Sequence, residues 1–466
     1  MVMDRVPDRS LTRPAPTGGN SLRAAVLRGL GYVFWSAADG AYVASNAAGL
    51  SFKRLARGTR AFVSDIPGSL GMGALRAAAF TVERRGPLTA LAVVIAAAGV
   101  GWNATAPAAV PGRPAVRGAT PIKFVTDKLN IETPRPRRPA PPAPSDLQHE
   151  LSRLAAQYDE PVGVAVADVT DGWVASVDGQ LSFPQQSVSK LWVAITAMEK
   201  VDQGMMRLDQ GVLLTDADRS VFFQPITYNI DDDGYQTDVE ELLRRALVTS
   251  DNAANDKLMG MVGGAPAVQD MIRRKALDGV RLAEDEKHLQ ARIAGLTWKP
   301  EYGQYGVFED ARSRLSREVR EQAMQAYVEN PYDGATPVGV VRALSALKRG
   351  ELLSPASTDV ILHYMAKART GPRRLAGGLP GDWKIAHKTG TGQDFRGASY
   401  GINDVGLLTA PDGRTYAVAV MMAKTAKPVP ARLEFMQAVS RAVVANWRAE
   451  QRGGFTLRGA EPELTE

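Results

Sequence analysis

Cysteine is absent from this chain of 466 residues. Disulfides, thiol nucleophiles, cysteine-bound metals and lipid attachment to cysteine are therefore excluded. Histidine is scarce as well, and the four histidines lack the paired spacing of a metal site: His149, His288, His363 and His387. We therefore expect no metal and no other cofactor, so that any catalysis must come from hydroxyl, amine and carboxyl groups.

Acidic residues are scarce in the N-terminal part of the chain. Residues 1–85 carry twelve Lys or Arg against five Asp or Glu, and residues 86–145 carry seven against two. Because the net charge of the whole chain is +6, residues 146–466 carry −6. A nucleic-acid-binding domain needs a basic folded face. The acidic C-terminal part argues against that function, and we expect no nucleic-acid partner.

Charged residues are missing between Gly86 and Gly112, and this gap contains the apolar run Leu88–Trp102. About 20 helical residues, at about 1.5 Å each, span the ~30 Å hydrocarbon core of a bilayer. We therefore predict a single transmembrane anchor at residues 86–106. The basic residues before it place the N-terminus in the cytoplasm and the C-terminal part in the periplasm, outside a bacterial inner membrane. A cleaved signal peptide is the alternative, since Ala104–Ala106 has the small-x-small form.

The predicted anchor separates segments of different composition. Residues 1–85 form a basic cytoplasmic extension. Residues 107–145 form a Pro/Ala-rich linker, because ten of the 29 prolines lie between residues 103 and 145 and such a composition favours an extended spacer. Residues 146–450 have the regular apolar patterning of a folded catalytic domain, and residues 451–466 form a C-terminal tail.

The pattern of residues 146–450 predicts an α+β domain. Strands are predicted at both ends of the domain and helices between them and after them. The predicted strands are Val162–Val169, Trp173–Val177, Trp383–Thr389, Asp404–Thr409 and Arg414–Met421. The predicted helices are Asp146–Leu154, Val239–Val248, much of 265–372, and 430–448. This order indicates an antiparallel sheet built from both ends of the domain, flanked by helices, with an all-α lobe inserted.

The segment Phe183–Ala194 is the centre of the predicted chemistry. Its proline and polar residues end an extended segment, and an apolar run at helical spacing follows, so Ser187 is predicted in the first turn of a buried helix. Lys190 lies three positions later, on the same helix face. A desolvated lysine can hold the neutral amine that takes a proton from serine. Ser345 and Lys348 repeat this spacing in a helix that we interpret as surface.

Two further segments complete a set of three motifs. Ser250-Asp251-Asn252 follows a predicted helix, and Lys388-Thr389-Gly390 lies on a predicted strand. Together with Ser187 and Lys190, and in this order, they form the motif set of penicillin-recognising serine enzymes. Residues 146–450 therefore resemble class A β-lactamases and the related penicillin-binding proteins. The resemblance also covers Leu247–Asn255, Arg349–Ser354 and Gly371–Leu375.

The resemblance implies a role for each of these residues. Ser187 would attack the substrate carbonyl, and Lys190 would accept its proton, directly or through a neighbour. Ser250 would pass a proton to the leaving nitrogen, and Lys388 would attract a substrate carboxylate and tune Ser250. Asn252 would contact the substrate amide and Lys190, and Thr389 would contact the substrate carboxylate. Gly390 would allow the close approach of the substrate. Thr391 would be the second oxyanion donor, and Phe223 would lie on the cleft wall.

One part of the family pattern is missing from its expected place. Class A β-lactamases carry the glutamate that activates the deacylating water in a loop reading Trp-Glu-Pro-x-Leu-Asn, whereas Trp298-Lys299-Pro300 has a lysine at that position. Glu301 lies two positions later. Counting back from Thr336-Pro337, which resembles the end of that loop, reaches Glu318 or Glu321. All three glutamates are candidates for the base, and the loop is predicted to be enlarged.

Three functions follow from this pattern. The first is a serine-dependent β-lactamase that forms an acyl-enzyme on Ser187 and hydrolyses a β-lactam amide. The second is a D,D-peptidase or esterase acting on envelope substrates. The third is a membrane-tethered module that binds or senses a β-lactam or peptidoglycan and is acylated without turnover. In each case we expect a monomer with a small β-lactam or peptidoglycan-like substrate.

Overall fold

A computed structural model describes residues 139–458, with side chains described as far as Arg452. The predicted extension 1–85, the predicted anchor 86–106 and residues 107–138 of the predicted linker lie outside the described residues. Within residues 139–458, no helix is both long enough and apolar enough to cross a membrane.

A six-stranded antiparallel sheet forms the centre of the domain, in the order β2-β1-β10-β9-β7, with β8 paired to β9. Its strands are β1 (Gly163–Asp168), β2 (Val174–Val177), β7 (Lys384–Thr391), β8 (Asp394–Phe395), β9 (Ala398–Thr409) and β10 (Thr415–Thr425). Four shorter strands pair as β3 with β6 and β4 with β5: β3 (Phe183–Pro184), β4 (Gly211–Leu214), β5 (Tyr235–Asp238) and β6 (Gly334–Ala335). The sheet therefore takes its strands from both ends of the domain, as the sequence predicts.

Helices cover both faces of the sheet. They are α1 (Ser145–Tyr158), α2 (Lys190–Asp202), α3 (Val239–Arg244), α4 (Asn252–Val262), α5 (Gly264–Arg274), α6 (Glu286–Ile293), α7 (Val307–Ser313), α8 (Arg317–Glu329), α9 (Pro337–Lys348), α10 (Pro355–Ala366) and α11 (Val429–Arg458). Side-chain caps start several of them, because Asp251, Asp285, Ser316, Thr336 and Ser354 each accept a hydrogen bond from the backbone three residues on. The last helix extends past residue 450, the predicted end of the domain.

The hydrophobic core has two main parts, one on each face of the sheet. Successive side chains of a strand point to opposite faces. Ala165 and Ala167 of β1 accordingly pack on the side of the helical lobe, with residues of α2, α4 and α9. Val164 and Val166 pack on the other side, with residues of α1 and α11. Because both faces are buried, residues 164–167 of β1 and 417–422 of β10 are apolar at every position rather than at alternate positions.

Ser345 differs from its predicted surface location. Its side chain is buried, and its hydroxyl donates to the Val341 carbonyl, one turn back in α9, at 2.7 Å. Lys348 is exposed at the end of the same helix. A serine on the buried side of a helix satisfies its hydroxyl on the preceding turn. The second Ser-x-x-Lys pair therefore has a buried serine and an exposed lysine, and carries no site.

Candidate active site

Ser187 lies in a short 3₁₀ helix, Gln186–Ser189, that leads directly into α2. Gln186, the residue before it, has a φ of +53°, in the left-handed region that non-glycine residues rarely adopt. Asp333 holds this backbone in place by accepting the Gln186 N–H at 2.6 Å, and the Gln186 side chain donates to the Tyr327 hydroxyl at 2.7 Å. Such strained positions persist where the surroundings fix them. The position of the Ser187 hydroxyl is thus set by buried partners distant in the sequence.

Lys190 lies beside Ser187, as the spacing predicts. Its Nζ donates to Ser187 Oγ at 2.8 Å and to Glu286 Oε2 at 2.8 Å. The exposed fractions of the Lys190 and Glu286 side chains are 0% and 4%. A buried amine and a buried carboxylate at this distance form an ion pair that water does not screen. Serine, amine and carboxylate therefore form one continuous chain of polar contacts.

Glu286 is a member of the site that the sequence analysis missed. Burial by itself would raise the pKa of its carboxyl, but the charge and hydrogen bond of Lys190 and the amide of Gln290 outweigh burial and lower the pKa. Gln290, one turn along α6, donates to Glu286 Oε1 at 2.9 Å. At neutral pH the site therefore contains an ionised carboxylate that can accept a proton.

The three glutamates proposed from the sequence are not in this site. Glu301, Glu318 and Glu321 are all exposed, and Glu321 lies beside the surface arginines Arg317 and Arg396. The signal for the carboxylate was Glu286-x-x-Leu289-Gln290, which matches the Glu-x-x-Leu-Asn part of the family loop with glutamine for asparagine. This segment lacks the tryptophan and the proline of the family loop, both of which are present at Trp298-Lys299-Pro300 instead. Glu286 therefore replaces the three earlier candidates.

Ser250 and Lys388 face each other across the cleft. Lys388 Nζ donates to Ser250 Oγ at 2.9 Å, although 138 positions separate the two residues. Ser250 has a φ of +61° and stands between a π-helical turn, Arg245–Thr249, and α4. Burial, and secondarily the charge of Lys190, lower the pKa of the Lys388 amine well below its ordinary value. Burial makes the positive charge of Lys388 energetically costly, and an anionic substrate group bound beside it would offset that cost.

Asp251 and Asn252 anchor the loop on the other wall of the cleft. Asp251 caps α4, and its second oxygen accepts the Ile226 N–H at 2.7 Å. Its carboxylate therefore fixes the turn between Ser250 and α4. Burial raises its pKa to about 6. The backbone N–H of Asn252 donates to the Phe223 carbonyl, and its side chain donates to the Val221 carbonyl, both at 2.8 Å. The predicted hydrogen bond from Asn252 to Lys190 is not formed, because Lys190 pairs with Glu286.

The predicted residues of β7 lie against the segment of the nucleophile. A Cβ on Gly390 would lie 2.3 Å from the Gln185 carbonyl oxygen, so only glycine permits this approach. Thr389 Oγ1 donates to the Thr370 hydroxyl at 2.7 Å. Arg374, to which the sequence analysis gave no role, is buried and donates to the Gly390 carbonyl and to Thr391 Oγ1. A second cation therefore stands at this strand beside Lys388.

An enlarged segment between Glu286 and Asp333 covers one end of the cleft. It contains α6, α7 and α8. Phe308 of α7 packs edge-on against Phe222, next to the predicted wall residue Phe223. Arg312 of α7 donates to Gln393, two residues after Thr391, and Gln393 donates to Gln290. The enlargement lies after the glutamate, which explains why counting back from Thr336-Pro337 did not reach it.

The site unites a serine hydroxyl, a buried amine, a buried carboxylate and a second Ser–Lys pair on an antiparallel sheet with a helical lobe. These groups are those of a serine hydrolase that transfers acyl groups. Comparison with known proteins agrees. The sequence model of the β-lactamase enzyme family matches residues 146–447, and the chain belongs to this family.

Individual relatives are moderately similar in sequence. The chain is 27% identical over 282 residues to the extended-spectrum β-lactamase PER-1 of Pseudomonas aeruginosa, an alignment that covers 60% of this chain and 80% of the relative. It is 26% identical over 292 residues to a β-lactamase of Mycobacterium tuberculosis, covering 62% of this chain and 80% of the relative.

Solved structures share the fold. A β-lactamase from Chitinophaga pinensis aligns with a TM-score of 0.52 and 27% identity, over 66% of this chain and 99% of that one. An ancestral class A β-lactamase aligns with a TM-score of 0.51 and 28% identity, over 64% and 99% of the two chains. The β-lactamase-like α+β fold predicted for the catalytic domain is thereby confirmed.

Proposed function

We propose that this protein hydrolyses β-lactam amides through an acyl-enzyme on Ser187. The observation that carries the proposal is the chain of contacts from Ser187 Oγ to Lys190 Nζ and on to Glu286 Oε2, each 2.8 Å long. The β-lactamases among its relatives support β-lactams as the substrate class.

Acylation would use the groups on both sides of the substrate carbonyl. Ser187 Oγ attacks the carbonyl carbon while its proton passes across Lys190 Nζ to Glu286. The backbone N–H groups of Ser187 and Thr391 stabilise the oxyanion, and loss of one such donor typically lowers the rate by about 10²–10³. Ser250, which Lys388 orients, protonates the departing nitrogen as the C–N bond breaks. The proton taken up by Glu286 then returns through Lys190 to Ser250, which leaves Glu286 ionised for the next step. The substrate carboxylate binds near Lys388, Thr389 and Arg374.

Deacylation would use the same carboxylate. Glu286 and Gln290 lie one turn apart on α6 and are hydrogen-bonded to each other. A water held between them attacks the ester carbonyl and gives its proton to Glu286. The C–O bond to Ser187 then breaks, and the same proton returns through Lys190 to Ser187 Oγ, which restores the hydroxyl and the ionised Glu286. The presence of this base favours turnover over a sensor that stays acylated.

Turnover of a chromogenic cephalosporin by the purified protein, with intact-mass spectrometry, tests the proposal. We expect many turnovers per molecule for the wild type, and neither turnover nor a mass adduct for Ser187→Ala. Ser345→Ala is the matched control, because Ser345 has the same Ser-x-x-Lys spacing outside the site, and it should keep both. A permanent adduct on Ser187 of the wild type would indicate a sensor instead. Release of D-Ala from a peptide without cephalosporin turnover would indicate a peptidase.

We also propose that an anchor at residues 86–106 holds this domain outside the bacterial inner membrane. The support is the uncharged stretch and the basic residues that precede it. Added protease should digest the catalytic domain of the full chain in spheroplasts and spare the N-terminal extension. Recovery of the whole domain in the soluble periplasmic fraction would favour a cleaved signal peptide.

A further inference from the structure

The enlarged segment carries two arginines without an acidic partner. Three of the five arginines between residues 291 and 332 form ion pairs: Arg292 with Glu284, Arg314 with Asp310, and Arg317 with Glu321. Arg312 and Arg320 form no ion pair with any residue of the described chain. An arginine on a protein surface is ordinarily hydrated or paired.

Arg312 has one hydrogen-bonding partner within the part of the chain that the structure describes. Its Nη1 donates to Gln393 Oε1 at 2.9 Å. Its guanidinium also lies over the ring of Phe222, 5.5 Å from the centroid. Both partners are neutral, so the positive charge of Arg312 is not compensated by either of them. The guanidinium retains further N–H donors, because arginine carries five.

Arg320 has no hydrogen-bonding partner among the described residues. Its Nε is buried and unsatisfied, and its guanidinium lies over the ring of Phe395, 4.4 Å from the centroid. Buried polar atoms in proteins are almost always bonded, and one that is not calls for an explanation such as a ligand. Burial, and secondarily the charge of Arg312, lower the pKa of Arg320, so the two cations repel each other. A bound anion would relieve that repulsion.

The nearest candidate for an internal counter-ion is Asp394. Its carboxylate accepts a hydrogen bond from Ser399. Burial raises its pKa, and the hydrogen bond of Ser399 and the charges of Arg432 and Arg312 offset only part of that rise. Arg432, from α11, donates to the same Ser399 hydroxyl and adds a third positive charge nearby. Arg396 is close to Glu321. Positive charge therefore exceeds negative charge around Arg312 and Arg320, and Asp394 forms no ion pair with either of them.

A chain of hydrogen bonds connects Arg312 to the reacting groups, and Arg320 packs on the ring of Phe395, two residues after Gln393. Gln393, the partner of Arg312, follows Thr391 by two residues and donates to Gln290, which in turn contacts Glu286. Phe222 precedes Phe223 on the opposite wall of the cleft. α7 thus joins both walls at the end of the cleft beyond Thr391, away from the Lys388 and Ser250 pair. A substituent on the acyl side of a bound substrate would extend toward this end.

We propose that Arg312 and Arg320 form an anion subsite for a carboxylate on the acyl side chain of the substrate. The inference rests on the β-lactamase function proposed above and adds a preference within it. β-Lactams whose side chain carries a carboxylate bind with that group between the two guanidinium planes. Charge-assisted hydrogen bonds of this kind are about twice as strong as neutral ones.

Carbenicillin and benzylpenicillin make a matched pair for the test, since they differ by one side-chain carboxylate. The kcat/KM ratio of carbenicillin to benzylpenicillin is measured for the full-length wild type and for Arg320→Gln. We expect the ratio to fall about tenfold in the variant, the effect of one charge-assisted hydrogen bond. We also expect the wild-type ratio to fall as salt rises, because screening weakens an exposed charge pair.

Arg314→Gln is the control, because Arg314 lies on the same segment but is already paired with Asp310. Its ratio should equal that of the wild type. Arg312→Lys, which keeps the charge, should retain more of the preference than Arg312→Gln. An equal ratio in the wild type and Arg320→Gln, at unchanged melting temperature, would reject the subsite.

Direct binding to Ser187→Ala separates the two proposals, because this variant needs no turnover. Calorimetry should give tighter binding of carbenicillin than of benzylpenicillin, and Arg320→Gln in the same background should remove the difference. Equal binding of the two penicillins would reject the subsite alone. Failure of both to bind would reject the β-lactam function and the subsite together.

Discussion

At the scale of single residues, the buried pair of Lys190 and Glu286 decides what this site can do. Removing one partner from a buried ion pair leaves an uncompensated charge, which typically costs about 3–5 kcal/mol. A substitution that keeps the shape of Glu286 but not its charge is therefore the cleanest probe. Glutamine retains one acceptor oxygen for Lys190, but it removes the negative charge and puts an NH2 donor in place of the oxygen that accepts from Gln290.

We predict that Glu286→Gln slows acylation, in which Lys190 must then accept the Ser187 proton by itself, and slows deacylation much more, so that the variant stalls as an acyl-enzyme. Loss of a general base typically lowers a rate by about 10²–10⁴. Intact-mass spectrometry after mixing with a cephalosporin should show a long-lived adduct on Ser187 in the variant and none in the wild type. Glu301→Gln, at an exposed position, should behave as the wild type does. Wild-type turnover by Glu286→Gln would remove Glu286 from the mechanism.

At the scale of elements, α7 is held to the cleft by an aromatic cluster and few other contacts. Phe308 is 1% exposed and packs against the rings of Phe222 and Tyr302, at centroid distances of 5.2 and 5.9 Å. Trp298 packs against Tyr302 in turn. A helix of seven residues has little stability of its own, so its position depends on this packing.

We predict that Phe308→Ala loosens α7 without unfolding the sheet. Truncation of a buried phenylalanine typically costs about 3–5 kcal/mol, and here the loss falls on one small cluster. Hydrogen exchange should accelerate in residues 300–314 while β9 and β10 keep their protection. Val307→Ala is the matched control, because Val307 is its neighbour in α7 and is 36% exposed. Equal acceleration in the sheet would show that the cluster supports the whole domain.

At the scale of the whole molecule, three buried carboxyl groups set the pH dependence of stability. Burial raises the pKa of Asp251 to about 6 and that of Asp333 to about 7. Burial, and then the charges of Asp285 and Glu286, raise the pKa of Asp256 to about 7. The native protein therefore keeps protons that the unfolded chain releases near its ordinary aspartate pKa of about 3.9.

We predict that the free energy of unfolding falls as the pH rises from about 4.5 to about 7. The native state binds more protons than the unfolded state in this window, so the slope is negative, up to about 1.4 kcal/mol per pH unit for each proton. Carboxyls with lowered pKa values titrate below this window. The lowered pKa of Lys388 acts in the opposite direction, but it can offset at most one of the three protons held by the carboxyls. Urea unfolding at a series of pH values measures the slope.

Asp256→Asn should make this slope shallower by up to about 1.4 kcal/mol per pH unit, the contribution of one proton. The asparagine oxygen still accepts the Glu286 N–H that Asp256 accepts at 2.8 Å, and its amide can donate to the Ser220 hydroxyl. Asp232→Asn, at an exposed position, should leave the slope unchanged. A free energy of unfolding that rises across this window in the wild type would contradict the assignment of buried protonated carboxyls.

The sequence alone determined the α+β architecture, the origin of the sheet strands at both ends of the domain, and the three motifs. It did so because alternation, helical spacing and short motifs depend on residues that are near each other in the chain. The i and i+3 positions of Ser187 and Lys190 on a helical turn needed no tertiary information. The helix boundaries were predicted less accurately, and α11 continues to Arg458, the last described residue, rather than ending near residue 448.

Only the tertiary structure decided which carboxylate serves the site and what the enlarged segment does. Glu286 meets Lys190 across 96 positions, and Arg312 meets Gln393 across 81. Neither contact follows from local spacing, because each joins residues that are far apart in the sequence. The segment between Glu286 and Asp333 also differs in length from the family pattern. The partners of buried charges depend on how the helical lobe packs on the sheet. That packing is not encoded in any one short segment of the sequence.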